Sequence, residues 1–92
     1  MKKTDRESAE YFLGQRIAVL RENARMTQEQ LAEESQLTRA YIGRIELGIA
    51  CPSIRTLMKI SSGLGLGGVS YFFVPKTNQE IERDLTRFDF RQ

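Results

Sequence analysis

The sequence predicts an all-α fold, a compact bundle of five short helices followed by a polar C-terminal tail or helix. Three observations predict it. Apolar residues recur at three- and four-residue intervals rather than alternating. Threonine or serine stands just before several of these runs, where a helix needs a side-chain acceptor for its free amides. A lone apolar stretch near Val69–Val74 is the best candidate for a strand, and it would have no ladder partner.

The first helix is expected from Asp5 to Ala24. Thr4 and Glu7 have capping-box spacing, and Leu13, Ile17, Leu20 and Ala24 fall on one face. Arg21 lies beside that stripe. A second helix is expected after Thr27, with Gln30 completing a capping box and Met26 and Leu31 spaced for a hydrophobic staple; it ends near Ser35. The third follows after two or three residues, with Thr38 as N-cap, Leu37 and Ile42 as staple, Ile42 and Ile45 facing inward, and Gly48 as terminator. Ser53, after Pro52, caps a fourth helix carried by Ile54, Leu57, Met58, Ile60 and Leu64, with Gly63 weakening its last turn. Glycines at 65, 67 and 68 loosen the connection to the fifth helix, Val69–Val74, and Pro75 closes the compact region. In the tail, Thr77 and Glu80 offer a further capping box, while Ile81, Leu85 and Phe88 keep helical spacing. The expected division is therefore residues 1–12 as an extension of helix 1, 13–74 as the folded domain, and 75–92 as tail or helix.

Composition narrows the function. The chain has 92 residues, room for one small domain and little internal volume for an active-site cavity. It contains no histidine, which removes histidine-based nucleophile pairs and histidine metal sites. Its one cysteine, Cys51, can form neither an internal disulfide nor a thiolate cluster. The carboxylate pairs Glu33/Glu34 and Asp84/Asp89 have nothing to position them around a substrate. No catalytic residue, no metal, no cofactor and no small-molecule ligand are expected, and the protein is not read as an enzyme. The longest weakly polar stretch, Gly63 to Val74, is too short to cross a bilayer, and no signal peptide opens the chain. The expectation is a cytoplasmic protein without a membrane partner. Net charge is only +2, so an anionic partner must be met by a local patch.

Two short helices joined by a tight turn inside a small bundle point to helix-turn-helix geometry. The motifs Leu13-Gly-Gln-Arg-Ile17 with Leu20-Arg21, Met26-Thr-Gln-Glu-Gln-Leu-Ala32, Leu37-Thr-Arg-Ala-Tyr-Ile-Gly-Arg-Ile-Glu-Leu-Gly48, Pro52-Ser53 and Leu64-Gly65 carry a closer likeness. In that order, residues Leu13 to Phe73 resemble the DNA-binding domain of the phage-repressor/Cro family, the XRE-type regulators. The resemblance implies a lambda-repressor-like fold and double-stranded DNA as partner. It also implies that Gln28 binds a backbone phosphate and braces the third helix, and that Arg21 and Glu46 form a charge pair between the first and third helices. Thr38-Arg-Ala-Tyr-Ile-Gly and Val69-Ser-Tyr-Phe-Phe further resemble the controller proteins of restriction–modification systems, which are small dimeric regulators.

The residues support the same reading physically. With Ile42 and Ile45 buried, the third helix turns Arg39, Ala40, Gly43 and Arg44 outward, and these are the expected base contacts. Arginine binds guanine O6 and N7 through two hydrogen bonds, and an alanine methyl suits thymine. Exposed arginines on their own belong to a solvated face; here the surrounding pattern gives them a target. Gln28, Thr38, Tyr41 and Ser53 are the expected contacts to the DNA backbone, although Gln28 also reads as an ordinary first-turn polar residue and Tyr41 equally suits the edge of the core.

A module this small is expected to act as a homodimer on two half-sites about one helical turn, roughly 34 Å, apart. Tyr71, Phe72 and Phe73 are the candidate dimer contacts, with capping of the monomer's own core as the alternative. The loop after the third helix departs from the family by carrying Leu47, Ile49, Ala50 and Cys51 where basic and amide residues are common. Either Ser53, Arg55, Lys59 and backbone amides supply the missing phosphate contacts, or this loop meets a partner protein. An antitoxin-like or other protein-binding module on the same scaffold is thus the alternative function. Gln36, at the turn position usually held by glycine, is expected to take a left-handed conformation at a cost of roughly 1–2 kcal/mol.

Overall fold

A computed structural model describes residues 8–73. Within them the chain forms four α-helices, α1 (Ala9–Asn23), α2 (Gln28–Ser35), α3 (Arg39–Glu46) and α4 (Ile54–Gly63), and a closing 3-10 helix, Val69–Phe73, with no strand among the described residues. Each α-helix opens on a hydroxyl cap. Ser8 accepts from the Tyr11 amide, Thr27 from Gln30, Thr38 from Tyr41 and Ser53 from Thr56, all at 3.0–3.1 Å. At Thr27 the Gln30 carboxamide oxygen also accepts from the Thr27 amide at 2.8 Å, completing the expected capping box.

Two boundaries differ from expectation. Helix α1 begins at Ala9, because Ser8 is extended (φ −80°, ψ 153°) and serves as its cap. Thr4 and Glu7 lie outside the described residues. Ala24 ends the helix as an exposed C-cap instead of extending its buried stripe. The expected fifth helix is a 3-10 helix over Val69–Phe73; Val74 and the tail stripe Ile81, Leu85 and Phe88 lie outside the described residues.

The four α-helices end alike. One or two residues past each C-terminus the chain takes a positive φ: Arg25 (60°), Gln36 (60°), Gly48 (80°) and Gly65 (77°). The following amide then reaches back to a carbonyl five residues earlier: Met26 to Arg21 (3.1 Å), Leu37 to Ala32 (2.8 Å), Ile49 to Arg44 (2.9 Å) and Leu66 to Ser61 (2.9 Å). These are Schellman motifs, which satisfy carbonyls that a helix end leaves without partners. Gln36 thus adopts the left-handed conformation its position demands, with ψ 40°.

The core gathers one face from every helix: Leu13, Ile17 and Leu20 of α1, Leu31 and Ala32 of α2, Ile42 and Ile45 of α3, Leu57 and Ile60 of α4, and Phe72. Ile54 and Met58, expected to help carry α4 inward, are instead about 60% exposed. At 3.6 residues per turn they lie roughly 60–100° round the helix from Leu57, off the face centred on Leu57 and Leu64. Arg16 is buried too, and its Nε donates to the Tyr71 carbonyl at 3.2 Å, holding the 3-10 helix against α1. Gly14 lets α1 and α3 touch backbone to backbone, since a Cβ there would run into the carbonyl oxygen of Ile45.

Candidate nucleic-acid interface

The turn between α2 and α3 is two backbone hydrogen bonds long: Gln36 N–H to Glu33 O at 3.2 Å and Leu37 N–H to Ala32 O at 2.8 Å. Thr38 then starts α3 at once. Because Ile42 and Ile45 are fully buried, the rotation of α3 about its axis is fixed. Arg39, Ala40 and Arg44 are consequently exposed and Gly43 half-buried, so the four residues expected to face bases share the outward side.

Gln28, the first residue of α2, stands beside this face. A Cβ on Gly43 would lie 3.6 Å from the Gln28 Oε1, in ordinary van der Waals contact. The structure therefore brings Gln28 and Gly43 together from different helices. Thr38 is exposed, and its oxygen accepts from the Tyr41 amide, leaving its proton available to an acceptor outside. Tyr41 is half-buried and packs on the edge of the core. Ser53 is exposed, but its hydroxyl donates to Thr56 Oγ1 at 3.1 Å while accepting the Thr56 amide, so a contact with phosphate requires that proton to turn outward.

One ion pair ties the elements behind the face. The Glu46 carboxylate receives Arg21 Nε at 2.7 Å and Arg21 Nη2 at 3.1 Å. Arg21 Nη1 also donates to the Met26 carbonyl at 2.8 Å, fixing the connection into α2. Hydrogen bonding to Glu46 holds the guanidinium charged, raising its affinity for the proton above the ordinary arginine value. Sequence reasoning missed that Gln28 Nε2 donates to the same carboxylate at 2.9 Å. Spacing within a single helix could not reveal a contact 18 residues apart.

The other expected surface changes character. Phe72 is only 3% exposed and belongs to the core, so it is withdrawn from the candidate dimer contacts; Phe73 is 57% exposed and Tyr71 half-buried. In a 3-10 helix positions three apart align, so three consecutive aromatics must point in different directions. In the loop after α3, Leu47 and Ile49 are 64% and 63% exposed, Cys51 is exposed and Pro52 is buried. Arg55 and Lys59 are exposed on α4. Among the described residues no helix is long and apolar enough to cross a membrane.

Capped short helices, a left-handed turn and a second helix locked with its polar side outward define a helix-turn-helix protein. Residues 17–70 match the helix-turn-helix family HTH_3, and the chain belongs to that family, the XRE-type class its motifs resemble. It is similar to the immunity repressor protein of Bacillus phage phi105, with 41% identity over 54 residues. That match takes in 59% of this chain but only 38% of the repressor, so the chain spans well under half the length of that relative. Among solved structures it is similar to the restriction–modification controller protein C.AhdI from Aeromonas hydrophila, with TM-score 0.67 and 31% identity over 70% of this chain and 96% of that one. An HTH_3 family transcriptional regulator from Vibrio cholerae gives TM-score 0.68 and 31% identity over 76% of this chain and 38% of its own. The hypothetical transcription factor NHTF from Neisseria, 20% identical with TM-score 0.69 over 90% of this chain and 92% of its own, shares the fold.

Proposed function

We propose that this protein is a cytoplasmic, sequence-specific double-stranded DNA-binding transcriptional regulator that acts as a homodimer on a palindromic operator. The observation that carries the reading is the locked rotation of α3. Two fully buried isoleucines present Arg39, Ala40, Gly43 and Arg44 together on one exposed or half-buried side. Such a helix fits the DNA major groove, about 12 Å wide, with its N-terminal arginine nearest the base edges. Gln28, Thr38, Tyr41 and Ser53 contact sugar and phosphate, fixing the register. Tyr71 and Phe73 contribute to the dimer contact. The chemistry is recognition and not catalysis, and it requires no cofactor.

The test is selection of random-sequence duplexes by the purified protein at two salt concentrations, beside the variant Arg39→Ala/Arg44→Ala. Enrichment of a palindromic site that the variant loses supports the proposal. Binding absent even at low salt overturns it.

Leu47 and Ile49, both more than 60% exposed, favour a second reading in which the loop grips a protein partner, as in an antitoxin-like module. A stable complex with a neighbouring gene product, together with no retardation of DNA by the protein alone, would favour that reading over the first.

A further inference from the structure

We propose that Glu46 is a positioning residue for the DNA-facing surface: its carboxylate sets the orientation of the Gln28 carboxamide, and Arg21 makes that arrangement compatible with a phosphate. This deepens the DNA-binding reading above and rests on it. The Glu46 side chain is 6% exposed and receives three hydrogen bonds, two from Arg21 and one from Gln28 Nε2. An ionised carboxylate only accepts, so Gln28 must turn its NH2 group toward Glu46; the flipped amide would set an oxygen against an oxygen. In this orientation one Nε2 hydrogen is used, the other remains, and Oε1 lies over Gly43.

Gln28 is also the first residue of α2, where free backbone amides and the helix dipole favour an anion. A bare carboxylate directly behind Gln28 would oppose a phosphate arriving there. Arg21, paired through two of its nitrogens, offsets that charge at the point where it would do harm. The chain Arg21–Glu46–Gln28 therefore joins α1, α3 and α2, and hands a defined donor to the phosphate.

The experiment is a double-mutant cycle between Glu46→Gln and Gln28→Ala, read as affinity for a duplex the wild-type protein selects, with side-chain amide NMR of the free protein beside it. Gln28→Ala is expected to weaken binding about tenfold, the loss of one hydrogen bond to a charged group. Glu46→Gln should weaken it by a similar factor in the wild-type background and by less than about twofold once Gln28 is alanine. In the free protein, Glu46→Gln should move the Gln28 side-chain amide signal. A purely structural Glu46 lowers the melting temperature but gives losses that multiply in the two backgrounds; multiplying losses, or an unmoved amide signal, overturn the proposal. If Glu46→Gln does not fold, Arg21→Leu/Glu46→Gln removes both buried charges together and takes its place in the cycle. A wild-type protein that selects no duplex overturns the DNA reading and this role with it, while the amide signal reports separately on the Glu46–Gln28 bond.

Discussion

Gly14 of α1 lies against the Ile45 carbonyl at the end of α3, so closely that a methyl group on Gly14 would overlap that oxygen and also stand 2.8 Å from the Glu46 carbonyl oxygen. Backbone, not side chain, blocks the space, and backbone cannot rotate away. Helix propensity alone predicts that Gly14→Ala gains up to about 1 kcal/mol. The packing predicts the reverse, a loss of about 3 kcal/mol as the helices are forced apart. The urea midpoint, compared at constant denaturant slope, decides between them.

Arg21→Ala should lower both stability and affinity for DNA. Removing the guanidinium leaves the Glu46 carboxylate buried without its counter-charge, at a cost of about 3–5 kcal/mol. It also frees the Met26 carbonyl before α2. Thermal unfolding and duplex binding, measured on the same preparation, should fall together; weakened binding at unchanged Tm would contradict the assignment.

Gln36→Gly should stabilise the protein. A side chain at φ 60° costs roughly 1–2 kcal/mol, and glycine recovers this less the extra entropy of its unfolded chain. The net gain is about 0.5–1 kcal/mol, or a few degrees in Tm. Arg25→Gly should behave the same way, and a fall in Tm for either would mean that its turn has another geometry.

The faces of α4 predict a contrast between adjacent residues. Leu57 is 2% exposed, and Leu57→Ala should cost about 2–5 kcal/mol. Met58 is 59% exposed, and Met58→Lys should change stability by less than about 0.5 kcal/mol. Calorimetry of the two variants checks the rotation of the helix; equal losses would place Met58 in the core.

The features legible in the sequence are those whose causes are local. A hydroxyl three residues before an unpaired amide is visible in the chain, and Thr27, Thr38 and Ser53 cap the helices expected of them. The inward positions of Ile42 and Ile45, and with them the outward side of α3, follow from spacing alone. What spacing cannot give is contact between elements. Nothing local distinguishes Phe72, which fills the core, from Phe73, which does not. Ile54 and Met58 fit an apolar helical face but lie off the side that α2 covers. Ser8 caps α1 although the spacing did not single it out, and Arg25 takes a left-handed turn with no glycine to announce it. The Gln28–Glu46 bond depends on both the α2–α3 turn and the docking of α1.

The Schellman closures have a thermodynamic consequence. Each connection between α-helices carries its own backbone bonds, so the α3 surface proposed to meet DNA is already assembled in the free protein. Binding then forfeits little conformational entropy within the module, and its heat-capacity change should follow the surface desolvated at contact, without the large added contribution of a segment that folds as it binds.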